Sequence, residues 1–418
     1  MENMFNKFYE KSPEKRLEIL KEYGVINNTE EIKLDKKVAN AMIENYLFNY
    51  ELPLSVALNF IVDGKEVIVP MSIEEPSVVA AASNGAKTLG NIETAIKEKA
   101  IIGQVILTEI EDVEYALDQI NKNKESLLEK AREKTQSMIK RGGGPRKVWA
   151  DSFEDKDNEF ISVYFSVDTC DAMGANTINT ILESISDYIE EITKSKYLMR
   201  IISNNSTESV VKATCKVDIK KLNPDIDLAR KTAKRIELAT RFANLDKYRA
   251  ATHNKGIMNG IDAVVLATGN DWRAIEAAAH TYASTDQGYK SLTTWKFDEI
   301  SDILLGAIEL PLPVATVGGT ISVHPIAQYS LDIMQRPSAR RLASILAAVG
   351  LAQNFSAVRA IVTDGIQKGH MSLHARSLAT QVGANEDEIQ EMVELLKKES
   401  KMNPDVAKKL LNYIRERV

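Results

Sequence analysis

The chain has 418 residues, 44% of them hydrophobic, and a formal net charge of −6. This length allows two or three domains with buried cores, and the interspersed charges argue against nucleic acid or a membrane surface as the main partner. Two cysteines and five histidines show no metal-ligand spacing, so we expect neither a disulfide framework nor a metal site.

The N-terminal part predicts a helix, then a pair of strands, then a second helix. Ser12-Pro13 starts a helix that should end near Gly24. Residues 52–73 read as strands around a turn at Asp63-Gly64. Glu74 and Glu75 follow, at the start of a helix of small residues. Adjacent glutamates usually form a solvated edge, but in an apolar setting one of them could stay protonated and act as a proton donor.

A second region begins near residue 101. Strands are predicted at 102–107 and 160–167, with a charged helix over 115–141 between them. The motif Asp171-Ala-Met-Gly-Ala-Asn176 follows, and then a helix with a periodic apolar face. Strand, glycine turn and helix N-terminus could cradle a phosphate, although the motif lacks the G-x-G-x-x-G spacing of a Rossmann domain. The region is typical of a small α/β domain inserted into a larger one.

The segment from Tyr248 to Arg273 gathers glycines and polar residues around a short apolar run, 263–267, which we interpret as a strand. Lys255 and Asp271 flank this run, and an ammonium group beside a carboxylate could polarise a carbonyl oxygen. The many hydrogen-bond donors in this segment must bond either to a polar ligand or to one another. A binding site is therefore as good an interpretation as a surface loop. Asp271 alone would also fit a helix N-cap.

The last part, from about Gly365, is predicted to be helical, with Asn403-Pro404 starting a final helix that runs to Arg415. His370 fits an ordinary helix histidine, but on a separable segment it could also move in and out as a general acid. His374 lies one turn later, and no third ligand suggests a metal. No apolar run has the length of a bilayer span, so we expect a soluble cytoplasmic protein.

Nine ordered blocks extend over nearly the whole chain. They are Ile43–Asn45, Glu51–Pro53, Glu74–Ser83, Arg141–Gly144, Asp171–Asn176, Tyr248–Gly256, Ala267–Asp271, Gly350–Asn354 and Gly369–Met371. Together they resemble 3-hydroxy-3-methylglutaryl-coenzyme A reductase of the soluble, class II bacterial type. The resemblance implies an α+β fold with a large mixed α/β domain for substrate binding and dimerisation, formed by residues 1–100 and 206–364. A small ferredoxin-like, non-Rossmann dinucleotide-binding domain (101–205) is inserted into it, and a C-terminal helical flap (365–418) follows.

The resemblance also implies the reaction. Two hydride transfers from a nicotinamide cofactor reduce 3-hydroxy-3-methylglutaryl-CoA to mevalonate and CoA, in isoprenoid biosynthesis. Lys255 would stabilise the oxyanion, and Asp271 would hydrogen-bond to it. Glu75 would donate a proton at the aldehyde stage, and His370 would protonate the departing thiolate. Two other activities stay open: an NAD-dependent member that degrades mevalonate, and a CoA-thioester hydrolase or lyase without redox chemistry.

The same matching implies binding positions. The substrate-binding positions are Ser77, Asn204, Arg249, Asn259 and Gln353, with Arg249 as the partner of the glutaryl carboxylate. The cofactor-binding positions are Asp171, Gly174, Ala175, Asn176, Gly318 and Gly319. Thr135 stands where an NAD-preferring relative has an acid for the ribose 2′-hydroxyl, so we expect NADPH, with NADH also possible. The family pattern further implies a homodimer or a larger assembly of dimers, with sites across the subunit boundary.

Overall fold

The computed structural model describes residues 4–363, 365–399 and 401–417, and for residues 366–373 and 386 the description is limited to the backbone. This part of the chain forms three sheets and has the α+β architecture that the sequence predicted. The strands are β1 (Leu54–Val62), β2 (Lys65–Ser72), β3 (Asn91–Ile96), β4 (Ile101–Thr108), β5 (Gly144–Glu154), β6 (Glu159–Asp168), β7 (Lys196–Ser203), β8 (Val210–Asp218), β9 (Ser284–Thr285), β10 (Gly288–Tyr289), β11 (Thr293–Asp298) and β12 (Ile303–Pro311).

The helices in the same part of the chain surround these sheets. They are α1 (Pro13–Glu22), α2 (Lys36–Met42), α3 (Pro76–Leu89), α4 (Val113–Lys122), α5 (Lys124–Glu133), α6 (Gln136–Ile139), α7 (Ala175–Thr193), α8 (Ile226–Ala243), α9 (Lys247–Ala267), α10 (Trp272–Ala283), α11 (Gly319–Val323), α12 (Pro325–Ile333), α13 (Ala339–Val362), α14 (Ile366–Gln381), α15 (Glu386–Leu396) and α16 (Pro404–Arg415). The predicted caps of α1 and α16 are confirmed, because Ser12 and Asn403 each accept a backbone N–H of the first turn.

The larger sheet has six strands in the order β11-β12-β8-β3-β1-β2, antiparallel except where β1 runs parallel to β3. Helices α3, α8, α9 and α13 pack on it around the largest apolar cluster of the described residues. Helix α13 has the length and composition of a membrane span, which corrects the expectation that no run would reach that length. Of its most apolar window, 72% is buried inside the protein, as in the core helix of a soluble domain.

The smaller sheet has four antiparallel strands in the order β5-β6-β4-β7. Helices α4, α5 and α7 pack against it around a separate apolar cluster that includes Val105, Phe165 and Ile181. The single charged helix predicted over 115–141 is in fact three short helices, α4 to α6. It breaks at Asn123 and Thr135, each of which lies outside helical geometry at a helix junction. Strands β5 and β7 had no clear apolar alternation in the sequence and were missed.

Residues 263–267 correct another prediction, because they form the last turn of α9 and not a strand. Ala263, Val264 and Val265 are all fully buried, so their hydrophobicity shows no period. A short apolar run of this kind cannot be assigned to helix or strand from periodicity. The helix is 21 residues long, and Asp246 caps it by accepting the N–H groups of Tyr248 and Arg249.

Strand β1 positions the N-terminus of α3. It carries an irregularity between Ala57 and Phe60, where Asn59 has a φ of 70°. The Asn59 amide donates to the carbonyl oxygen of Ser83, and the Ser83 hydroxyl accepts the N–H of Leu58. These bonds tie the middle of α3 to the sheet, so the residue that precedes α3, Glu75, has a fixed place beside α9.

Candidate active site

One side of α9 carries the candidate catalytic lysine and is exposed to solvent at Tyr248, Thr252 and Lys255, whereas Asn259 and Asp262 further along it are half-buried. Tyr248, Thr252, Lys255, Asn259 and Asp262 follow one another at intervals of three or four residues along this side. The opposite side packs against α13 and β2. We call these five residues the open stripe of α9. Two predicted site residues, Lys255 and Asn259, therefore share one helix face.

Lys255 lies next to Glu75. The Nζ atom of Lys255 is 3.6 Å from Oε2 of Glu75, and the two side chains are 66% and 37% exposed. Glu75 is the N-cap residue of α3, but its side chain caps no backbone N–H. Instead its Oε1 accepts the hydroxyl of Ser77 at 3.0 Å. The structure thus brings together Glu75, Ser77 and Lys255 from two separate helices.

Asp271 is the N-cap of α10. Its Oδ1 accepts the backbone N–H groups of Arg273 and Ala274, at 3.0 and 3.2 Å, and lies 3.3 Å from the Arg273 guanidinium. The N-cap interpretation is therefore confirmed. The predicted hydrogen bond from Lys255 to Asp271 is not among the contacts of the described residues, where Lys255 pairs with Glu75 and Asp271 with Arg273.

The inward side of α9 accounts for the other polar residues of this segment. His253 is 2% exposed, and its Nε2 contacts the Thr293 hydroxyl at 2.6 Å and accepts the Asn354 amide at 2.9 Å. Asn254 is buried and bonds the backbone on either side of Ser291. Burial, with a contribution from the charge of Arg249, lowers the pKa of His253 to about 4. The imidazole is therefore neutral and structural near neutral pH.

Gln353 is the predicted substrate residue with the most unusual surroundings. It lies on α13, is 4% exposed, and its Oε1 has no hydrogen-bond partner in the described part of the chain. Gly260 permits the close approach of α9, since a Cβ there would be 3.0 Å from the Cβ of Gln353. A buried unpaired amide oxygen costs about 1–3 kcal/mol, and a ligand hydroxyl would remove that cost.

The remaining predicted substrate positions differ in burial. Arg249 lies in the first turn of α9 with its guanidinium half-buried, and that burial lowers its pKa. Asn259 is half-buried on the open stripe. Asn204 is exposed in the loop after β7, and its backbone oxygen accepts the hydroxyl of Ser206. No described hydrogen bond joins Asn204 to the residues on α9.

The two predicted cofactor-binding segments, Asp171–Asn176 and Gly318–Gly319, lie next to each other. Ala172 pairs with Val317 in a parallel bridge, which sets Asp171–Asn176 beside Gly318 and Gly319. The Asp171 carbonyl oxygen accepts two backbone N–H groups from the second motif, and its Oδ1 accepts the N–H of Ala339 at 2.7 Å. Asp171 therefore joins the smaller sheet region to α13.

Gly174 opens the N-terminus of α7. Its φ is 77°, and a Cβ there would overlap the side chain of Thr169, so both backbone and space require glycine. Ala175 and Asn176 begin α7, and Asn176 is exposed. Free N–H groups at the start of a helix attract anions. This corner can therefore hold a phosphate group.

Thr135, which was predicted to lie beside the cofactor ribose, is buried. It is 3% exposed, and its hydroxyl donates to the carbonyl oxygen of Ala131 at 3.1 Å. The side chain therefore faces the core and is not available to a ribose. The repeat Leu128, Ala131, Thr135, Met138 is an inward helical spacing, and this signal in the sequence could have revealed it.

Sequence reasoning missed a cationic group beside the glycine motifs. Arg146 and Arg340 lie 3.2 and 3.7 Å from Oδ2 of Asp168. Lys99 is buried and donates to the carbonyl oxygen of Cys170 at 2.6 Å, and this burial lowers the pKa of Lys99. The three cations come from separate parts of the chain, so no single motif could have indicated them.

His370 belongs to α14, but its side chain is outside the described residues. His374, one turn later, is exposed. Among the described residues there is no group of three or more His, Cys, Asp or Glu side chains that could hold a metal ion.

The chain is similar to known proteins over nearly its whole length. The family described as "Hydroxymethylglutaryl-coenzyme A reductase" matches residues 12–375. A 3-hydroxy-3-methylglutaryl-coenzyme A reductase of Archaeoglobus fulgidus is 42% identical over 417 residues, covering 98% of this chain and 94% of the relative. The class II enzyme of Streptococcus pneumoniae bound to NADPH in open conformations has a TM-score of 0.83 at 42% identity, covering 97% of this chain and 100% of that one. A second structure from that organism has a TM-score of 0.84 at 42% identity, covering 98% and 99%.

Proposed function

The chain belongs to the hydroxymethylglutaryl-coenzyme A reductase family, and we propose that it reduces 3-hydroxy-3-methylglutaryl-CoA to mevalonate and CoA with NADPH, in isoprenoid biosynthesis. The observation that carries the proposal is the contact between Lys255 and Glu75 at 3.6 Å, with Ser77 bonded to the same carboxylate. A cation and an acid on one carbonyl oxygen are what this reduction requires.

Lys255 and Glu75 would act on the oxygen of the substrate carbonyl. NADPH would supply the hydride when bound. Addition of that hydride to the thioester carbon breaks the C=O π bond and places a negative charge on the carbonyl oxygen. The Lys255 ammonium would stabilise this negative charge, because it lies next to the Glu75 carboxyl and both groups could contact one substrate oxygen. At the aldehyde stage, Glu75 in its protonated form would give its proton to the carbonyl oxygen and complete the alcohol.

Substrate binding would involve residues around the Glu75–Lys255 pair. Arg249 would bind the glutaryl carboxylate, and Ser77 and Asn259 lie on the same two helices as Glu75 and Lys255. The unpaired Oε1 of Gln353 supports a role as acceptor for a substrate hydroxyl. Asn204 and Asp271 keep their proposed roles from family matching alone, and Asp271 would act from its position at the start of α10.

The dinucleotide would bind at the glycine motifs. Gly174, Ala175 and Asn176 fit a phosphate at the N-terminus of α7, with Asp171, Gly318 and Gly319 forming the adjoining wall. Thr135 has no place in this proposal because it is buried. The preference for NADPH over NADH is supported by the Streptococcus pneumoniae structure, which has NADPH bound and is 42% identical to this chain.

We also propose the three-domain division: 1–100 with 206–364, 101–205, and 365–418. Separate apolar clusters beneath the two main sheets and within the C-terminal helices support it. A cytoplasmic homodimer, or a larger assembly of dimers, completes the proposal. Exposed apolar side chains near the junction of α8 and α9, namely Leu238, Phe242, Leu245 and Tyr248, support a subunit interface there.

The assay mixes the purified protein with 3-hydroxy-3-methylglutaryl-CoA and NADPH. We expect two NADPH oxidised for each free thiol, measured by NADPH absorbance and a thiol reagent. Thiol release without NADPH oxidation would instead indicate a hydrolase, and loss of the substrate with neither thiol release nor NADPH oxidation would indicate a lyase. A kcat/KM higher with NADH than with NADPH would favour the NAD-dependent member that degrades mevalonate.

His370→Gln tests the proposed acid for the thiolate. The variant should lose turnover of the thioester substrate but keep reduction of free mevaldehyde, since mevaldehyde has no thiolate to protonate. His374→Gln, one turn away, should reduce both substrates at the normal rate. Equal losses on the two substrates in His370→Gln would contradict the assigned role.

A further inference from the structure

The open stripe of α9 ends in an acid that the proposed mechanism does not use. Asp262 lies seven residues after Lys255 and three after Asn259, on the same side of the helix. Its Oδ1 is buried and has no hydrogen-bond partner in the described part of the chain. A buried carboxylate without a donor is unfavourable, so the group must either gain a proton or find another partner.

The neighbour of Asp262 is a second carboxyl group. Glu276 on α10 lies within hydrogen-bonding range, and burial followed by this neighbour raises the pKa of Asp262 to about 9. Two carboxyl groups can hydrogen-bond only when they share a proton. Glu276 also lies 2.5 Å from Nε2 of His280, and that contact lowers the pKa of Glu276. Near neutral pH the proton therefore stays on Asp262 and the negative charge on Glu276.

The hydrogen bonds continue back toward the catalytic end of α9. Nδ1 of His280 lies 2.6 Å from the hydroxyl of Tyr289 on β10. The next residue after Tyr289 is Lys290, whose carbonyl oxygen accepts the amide of Asn254. The path thus leaves α9 at Asp262, passes along α10 and returns to α9 at the residue before Lys255. It joins α10, with Asp271 at its N-terminus, to α9 at two points.

We infer that Asp262 is a positioning residue for the proposed reductase reaction, which acts through Glu276 to hold α10 and its N-cap residue, Asp271, in a fixed position relative to α9, the helix that carries Lys255. This inference rests on the proposed function. A displacement of about 1 Å in such a site can cost about 100-fold in rate, so a clamp between the two helices matters to turnover.

The groups that face the pair are few. Glu276 and His280 of α10 are nearest, and Tyr289 of β10 follows through His280. On the other side of α10, Tyr282 bonds to Glu309 of β12, away from Asp262. Among the described residues Glu276 is the one charged group that affects the ionisation of Asp262.

The test compares Asp262→Ala with Asp262→Asn in the full-length enzyme. Asp262→Ala removes the clamp, so kcat should fall by about 10-fold or more while both KM values change by less than about 2-fold. Asp262→Asn keeps the shape and a donor to Glu276, so most of the lost kcat should return. Tyr282→Phe, which removes a bond of α10 to β12 instead, should leave kcat unchanged.

The pH profile separates positioning from simple packing. In the wild type kcat should fall as pH rises through about 9, because the shared proton is lost and the two carboxylates repel. Asp262→Asn should lack this loss, since its amide has no proton to release. The inference would be overturned if the kcat of Asp262→Ala equalled that of the wild type. It would also be overturned if kcat fell at alkaline pH in the same way in the wild type and in Asp262→Asn.

Failure of the proposed function would look different. If the wild type does not oxidise NADPH with 3-hydroxy-3-methylglutaryl-CoA, the positioning role falls with the reaction. The shared proton can still be measured as a protonated-carboxyl infrared band at pH 7 that disappears in Asp262→Asn. If the wild type reduces the substrate at a normal rate but its infrared band is the same as that of Asp262→Asn, the role of Asp262 is wrong and the proposed function stands.

Discussion

The two sides of α9 use polar residues in opposite ways. On the inward side, His253 and Asn254 are buried, and they are bonded to β11, to α13 and to Lys290 in the loop between β10 and β11. On the outward side, Lys255 and Asn259 are exposed or half-buried, and Lys255 has a single ion-pair partner among the described residues, 3.6 Å away. Adjacent residues in one polar segment therefore have different surroundings, those on the inward side holding the fold and those on the outward side being accessible for the proposed chemistry. Changes on the two sides should affect different measurements.

The largest effect is expected from Lys255→Ala. Loss of the ammonium should lower kcat by about 100- to 1,000-fold, as removal of an oxyanion donor does elsewhere. The free energy of unfolding should change by less than about 1 kcal/mol, because an exposed ion pair contributes little. Steady-state kinetics and urea denaturation measure the two quantities.

Lys247→Ala is the matched control, since Lys247 is an exposed lysine at the start of the same helix. It should leave both kcat and stability close to wild type. If Lys255→Ala retained most of its turnover, or if Lys247→Ala lost as much, the outward side would not carry the chemistry.

The distinction between the two sides could not have been read from the sequence. In the sequence, Arg249, His253, Asn254, Lys255 and Asn259 form one polar cluster. A strand over 263–267, which the short apolar run predicts, is incompatible with helical spacing across the segment. A helix over residues 247–267 places 255 and 259 on one side, and 253 and 254 largely on the other.

Other parts of the site were predictable when they depend on residues close together in the sequence. The position of Glu75 at the start of a helix followed from Pro76 and the small residues after it. The meeting of Asp171–Asn176 with Gly318 and Gly319 depends on a contact between distant parts of the chain, so only family resemblance placed them together. The Asp262–Glu276 pair has no sequence signal, because it depends on how two helices pack.

The second largest effect is expected on the inward side, from Asn354→Ala. The Asn354 amide oxygen accepts the Trp295 indole at 2.8 Å and the Thr293 hydroxyl at 3.0 Å, and its NH2 group donates to His253. Removing these groups leaves buried polar atoms unpaired, so the free energy of unfolding should fall by about 3 kcal/mol. Thermal and urea denaturation would measure the loss.

Asn28→Ala is the control for this variant, because Asn28 is exposed in the N-terminal region. Its stability should equal that of the wild type within about 0.5 kcal/mol. An Asn354→Ala protein of normal stability would mean that the inward network is not structural, and the contrast between the two sides of α9 would fail.

The smallest expected effect is a pH dependence from His253. Its pKa in the folded protein, about 4, is below the value of 6.5 for an exposed histidine, so the folded state binds fewer protons than the unfolded state between these values. The stabilisation from the neutral imidazole is present above pH 6.5 and is lost as pH falls toward 4. Between pH 7 and pH 4.5 this loss should be about 2 kcal/mol.

The comparison is between the wild type and His253→Gln, whose amide cannot titrate but can accept the Asn354 donor. Denaturation at pH 7 and pH 4.5 should show a smaller loss in the variant than in the wild type. His374→Gln controls for removal of a histidine in general, since His374 is exposed on α14, and its pH dependence should match the wild type. Identical slopes for wild type and His253→Gln would mean that His253 accepts a proton in the folded state. The inward side of α9 would then be a titrating region instead of a neutral one.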